Sequence, residues 1–188
     1  VAFHDLLGEI AAIEQKVLTA DPPLEEADVL DGYRLTFSLL RVAVDAYVFG
    51  DKDNPRFVHV IGPYQKWGGD NSDAFYQLAP IDPNRTYRVT GNRGDSVYLS
   101  ITVYGGPDDG HYSNRIVGTM NNRSLEFDAD GNFEFMISPS PQPGAWLKLD
   151  PAAQLAVMRE VEQEAFFVAI RDAVRTGIYN DPAFWKHI

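Results

Sequence analysis

The chain has 188 residues, 45% hydrophobic and 23% charged, which suits one domain with a sizeable core. Its formal net charge of -11 opposes phosphate backbones and anionic headgroups, so no nucleic-acid partner is expected. The absence of cysteine excludes disulfides, thiolate nucleophiles and zinc–thiolate sites.

From the N-terminus, Phe3, Leu6, Leu7, Ile10, Ile13, Val17 and Leu18 recur at helical spacing, which predicts an amphipathic helix over 1–18. Pro22 and Pro23 end it, and Asp21-Pro22 has the chemistry of a helix start. A second helix is expected over 24–49, with Leu35, Leu39, Val42, Ala46 and Phe49 on one face. Gly32 weakens its beginning, so the regular part is expected from Tyr33, with Gly50 as the C-terminal cap.

After Pro55 the hydrophobic period changes towards two. Strands are expected over 57–61, 75–79, 87–90, 97–104, 115–120, 124–127 and 133–137. The clearest is 97–104, where Val97, Leu99, Ile101 and Val103 alternate with Tyr98, Ser100, Thr102 and Tyr104. Asn92-Arg93-Gly94-Asp95 and Asp128-Ala129-Asp130-Gly131-Asn132 are expected as hairpin turns, and 138–144 as an extended proline-rich connector. Asp150-Pro151 is the predicted start of a long last helix through Leu155, Met158, Val161, Phe166, Ile170 and Val174, stopped by Gly177. The expected organisation is a helical segment over 1–50, a β-domain over 51–149, and a helix with its tail over 150–188. The fold class is mainly β with flanking helices, built as an antiparallel β-sandwich.

The most unusual local chemistry is Lys66-Trp67-Gly68-Gly69-Asp70-Asn71. It sets a cation, an indole, two glycines and a carboxylate in one loop, as binding loops do. Tyr64, Tyr76 and Tyr104 are placed with it, and Tyr98 with them, as an aromatic patch for a sugar or another flat, partly apolar ligand. Core packing is the competing role for those rings. His59 lies on the face opposite Val58 and Val60; with His111 and Asp70 it is a candidate for acid–base chemistry. Glu126 and Glu134 are candidate cross-hairpin neighbours.

No metal or cofactor is expected. The Asp128 run has its glycine too early for a calcium loop, and Pro139 stands where a bidentate glutamate belongs. No nucleophile elbow and no phosphate loop occur. No stretch is apolar for the span of a bilayer and none has the form of a signal peptide. A soluble protein is therefore expected, cytoplasmic or exported and processed.

Two resemblances add to this. Asp31-Gly32-Tyr33-Arg34, the 66–71 loop, Tyr87-Arg88-Val89-Thr90-Gly91-Asn92-Arg93-Gly94, Tyr98-Leu99-Ser100-Ile101-Thr102-Val103-Tyr104 and Trp146-Leu147-Lys148-Leu149 resemble the bacterial family of unknown function numbered 1214, over about 31–149. That resemblance implies a jelly-roll-like sandwich and brings no established reaction. The tail, with Glu164-Ala165-Phe166-Phe167, Thr176-Gly177-Ile178-Tyr179-Asn180-Asp181-Pro182 and Trp185-Lys186-His187-Ile188, is similar to the gluconate 2-dehydrogenase small subunit. It lacks the Gly-Gly-Asn run that usually follows Asp-Pro there. Three functions are thus set out: a domain binding a small organic or carbohydrate ligand, an accessory subunit with a flavoprotein partner, and a hydrolase or lyase using a His/Asp pair. A homo-oligomer is compatible with the first.

Overall fold

The computed structural model describes residues 2–62, 65, 67, 71, 74–107 and 113–162. Two helices come first, α1 (Ala2–Leu18) and α2 (Glu26–Ala43), the second running into a π-helical turn, Val44–Val48. Eight strands follow: β1 (Val58–Ile61), β2 (Phe75–Pro80), β3 (Tyr87–Asn92), β4 (Ser96–Gly105), β5 (Arg115–Asn121), β6 (Asn132–Ser138), β7 (Trp146–Lys148) and β8 (Ala153–Glu162). They form a five-stranded sheet in the order β1-β2-β8-β4-β5 and a three-stranded sheet in the order β3-β6-β7. The protein is mainly β, with two helices and two sheets among the described residues.

One apolar core joins the two sheets. Leu99, Ile101 and Val103 of β4, Met120 of β5 and Ala156 of β8 pack with Tyr87, Phe133, Phe135, Ile137 and Leu147 of the smaller sheet. The alternation in β4 aims Leu99, Ile101 and Val103 inward, while Val97 stays 40% exposed, and removing the inward set from water is the main stabilising term. The opposite face of the large sheet carries a second cluster. There Val42 and Ala46 of the α2 end lie on Val58, Val60 and Leu78. This covers β1 and β2. The π turn closes with Phe49 N–H donating to the Val44 carbonyl at 3.0 Å. Gly50 follows because any side chain there would collide with the Ala46 carbonyl.

Six of the seven strands expected over 57–137 are present, with ends within two residues of those expected; the first begins at Val58 rather than Phe57. Residues 124–127 are not a strand. Asn121 takes over their backbone: its carbonyl accepts the Ser124 and Leu125 N–H groups, and its side chain accepts that of Arg123. Local side-chain and turn bonds thus replace a ladder, while Leu125 and Phe127 still reach the core. With that strand absent, Glu126 has no cross-hairpin relation to Glu134, which instead faces Arg88 at 4.0 Å. The turn at 128–132 forms and leads into β6.

Residues 92–95 are not a hairpin either, because β3 and β4 belong to different sheets. They carry the chain from one sheet to the other. Helix α2 starts at Glu26 rather than Tyr33, and Gly32 lies inside it. A methyl group at Gly32 would meet the Val17 side chain of α1, so the small residue lets the helices approach. The proline-rich connector has no regular secondary structure, as expected, but it bends at 139–140 and 143–145 rather than running extended. It returns the chain so that β7 pairs with β6 in parallel, Ile137 beside Leu147. Ser138 organises that return: its carbonyl accepts Trp146 Nε1–H at 3.1 Å and Leu149 N–H at 2.9 Å.

The largest correction concerns the last helix. Residues 153–162 are β8, hydrogen-bonded between β2 and β4 near the middle of the large sheet. The sheet therefore continues past Leu149. Ala, Gln, Leu, Met, Arg and Glu all favour helix locally, but two waiting strand edges pair residues 155–160 on both sides, and this tertiary context wins. The remainder of the predicted helix and the tail, 163–188, lie outside the described residues.

Candidate functional site

Strand β8 alternates across the large sheet. Ala156 and Met158 face the core shared by the sheets, while Val157 faces the α2 side. Arg159, two residues on, shares the face of Val157. Its partners in register are Tyr76 on β2 and Ser100 on β4. The guanidinium carbon lies 5.6 Å from the Tyr76 ring centroid and 5.6 Å from that of Tyr98. Two phenol rings from two different strands therefore flank one cation. That arrangement is a cation–π clamp, in which the negative ring faces attract the guanidinium.

Arg34, Arg85 and Arg115 each hold a carboxylate, at 2.8, 2.6 and 2.8 Å. Arg159 holds none among the described residues, and its Nε is buried without a hydrogen-bond partner. A shielded, unsatisfied donor of this kind is costly unless something supplies an acceptor. Ser100, beside it, is 5% exposed. Further along the same face, Thr119 Oγ1 donates to Thr102 Oγ1 at 3.2 Å.

The expected site residues divide as follows. Tyr76 belongs to the clamp. Tyr98, placed with the aromatic patch, is its second ring. Trp67 packs against the cluster under α2, so its indole contributes apolar contact there. Tyr104 lies on the same sheet face but pairs with Leu155, four residues along β8 from Arg159 and roughly 13 Å away at strand spacing. Asn71 is exposed. Tyr64, Lys66, Asp70 and His111 lie outside the described residues. His59 is exposed on β1, an edge strand, opposite Gln77.

Arg159 is the residue that sequence reasoning missed. The period-two spacing of Leu155, Val157 and Val161 was the available signal, hidden by the helix-forming residues between them.

Shifted titrations lie in turns rather than at the clamp. Asp128 is held below the usual carboxylate range, chiefly by the Asn132 side chain, with the backbone N–H groups of Asn132 and Asp130 adding to it. Asp51 is lowered by Asn54 and by the Asp53 N–H, and Asp82 mainly by the Asn84 N–H. Burial pushes the Tyr87 phenol up. No cluster of metal-ligating side chains occurs among the described residues, and no described helix is long and apolar enough to cross a membrane. The Asp128 carboxylate in particular is used by its own turn.

No family model matches the chain, and no curated protein matches it. Among solved structures, the chain is similar to an uncharacterised protein from Burkholderia cenocepacia, with a TM-score of 0.74 and 28% identity over 86% of this chain. It spans 45% of that protein's length. A partial overlap with a protein from Vibrio parahaemolyticus has a TM-score of 0.36 and 20% identity, over 47% of this chain and 26% of the other.

Proposed function

We propose that this chain is a ligand-binding domain rather than a catalyst, taking a small organic or carbohydrate molecule on the α2-side face of the large sheet. In this reading the two sheets pack as a jelly-roll-like sandwich, as the resemblance over 31–149 implies. One observation carries it: the Tyr76 and Tyr98 rings flank a half-buried guanidinium that has no carboxylate partner among the described residues. Aromatic walls with a single convergent polar group are what small-molecule sites consist of. Trp67, which packs on the neighbouring apolar cluster, belongs to the stretch 66–71 that the sequence marks as a binding loop.

The test is ligand-observed saturation-transfer NMR with three probes: methyl glucoside, benzamide and benzoate. At least one probe should receive saturation from the protein and lose it in Tyr98→Leu, with the variant's far-UV circular dichroism unchanged. Silence from all three would overturn the reading, as would a signal that Tyr98→Leu leaves intact.

A further inference from the structure

We propose that Arg159 is the anchoring group of this site and that its ligand is a small organic carboxylate with a flat apolar body. This rests on the ligand-binding reading above and adds the ligand's charge and shape. Three observations combine. First, Tyr76 and Tyr98 flank the guanidinium at 5.6 Å each, so ring contacts occupy its sides. Its N–H groups lie in its own plane, and an acceptor must approach along that plane. Second, among the described residues no carboxylate pairs with it, whereas Arg34, Arg85 and Arg115 each hold one. Third, Nε is shielded and has no hydrogen-bond partner among the described residues, which leaves the Nη end as the part that meets solvent or ligand.

A planar fork of N–H donors matches the two oxygens of a carboxylate, and pairing of two charges shortens and strengthens both bonds. The tyrosine rings supply the walls for an apolar body attached to that carboxylate. Recognition is local. The overall charge of the chain is negative, so long-range steering of an anion does not contribute, and selectivity comes from the fork and the rings.

The experiment compares benzoate with benzamide, which keeps the shape and removes the charge. Protein labelled with 15N in arginine is titrated with each, and the side-chain Nε–H signals are followed. Benzoate should move the Arg159 signal saturably and bind about tenfold more tightly than benzamide, the ratio expected when charge-assisted bonds replace neutral ones. Arg159→Gln should abolish that preference. Arg159→Lys, which retains the charge but not the fork, should reduce it while keeping the fold. Equal binding of the two probes, or a preference that survives in both variants, would overturn the anchor and leave the ligand-binding reading standing. So would methyl glucoside binding in the absence of benzoate binding. Failure of all three probes would overturn both.

Discussion

At the scale of single residues, the sharpest constraints are polar bonds and close contacts away from the clamp. The Tyr87 hydroxyl accepts the Asp82 N–H at 2.7 Å and donates to the Lys52 carbonyl at 2.8 Å. It ties the chain after the helices to the loop before β3. Tyr87→Phe should leave both backbone groups without that partner and cost about 1–2 kcal/mol, measured by urea denaturation. Gly91 sits under the Phe133 ring, where a new Cβ would stand 2.6 Å from the ring's Cζ atom. The pair is in register between β3 and β6. Gly91→Ala should therefore destabilise by about 1–3 kcal/mol, as overpacking does, and Phe133→Leu should relieve part of that loss in the double variant.

The Asp128 turn sets a pH dependence whose sign follows from its lowered folded-state pKa. The carboxylate binds protons more weakly in the folded chain than in the unfolded one. Its contribution is thus present above the ordinary value of about 3.9 and is lost as pH falls through the folded-state value. Asp128→Asn should show a lower Tm than the unsubstituted chain near neutral pH, and the gap should narrow on acidification. A constant gap would contradict this.

At the scale of elements, β8 is the decisive segment, because its register alone brings Arg159 between Tyr76 and Tyr98. Strands β1 to β6 were legible in the sequence: alternation in β4 and glycine or proline at strand ends are local signals, and local signals suffice where one face is buried. The second ring of the clamp was legible too, as a tyrosine on the outward set of β4. Its arginine was not. Apart from Val157, residues 153–160 favour helix one by one, and nothing local reports that two strand edges await them. The crossing at 92–95 failed for the same reason, since turn chemistry does not say which strands will pair. If β8 lies between two strands, Val157 and Met158 amides should exchange only on global unfolding, whereas the 121–125 amides should exchange faster. Early exchange at Val157 would place the segment outside the sheet.

At the scale of the whole molecule, the layers contribute unequally. Helix α1 keeps most of its apolar side chains in solvent; Phe3 is 69% exposed. It meets α2 through Val17 beside Gly32 and through the Tyr33 hydroxyl, which donates to Glu14 at 3.3 Å. Helix α2 and the π turn after it, in contrast, bury Val42 and Ala46, each 1% exposed, against the sheet. Removal of residues 1–19 should shift Tm by only a few degrees, corresponding to about 1 kcal/mol or less. Ala46→Leu should cost about 1–3 kcal/mol by overpacking the layer that covers β1 and β2. Comparable losses from both changes would mean that α1 is part of the core.

The measurement that tests the central claim most directly is a nuclear Overhauser and ring-current analysis of Arg159. The account predicts cross-peaks from its side-chain protons to both the Tyr76 and Tyr98 rings. It also predicts upfield-shifted Arg159 side-chain resonances that move back towards ordinary positions in Tyr98→Leu. Cross-strand contacts from residues 155–160 to β2 and β4 should accompany them. Sequential helical contacts through 153–162, with Arg159 resonances at ordinary positions and no ring contacts, would contradict both the strand and the site built on it.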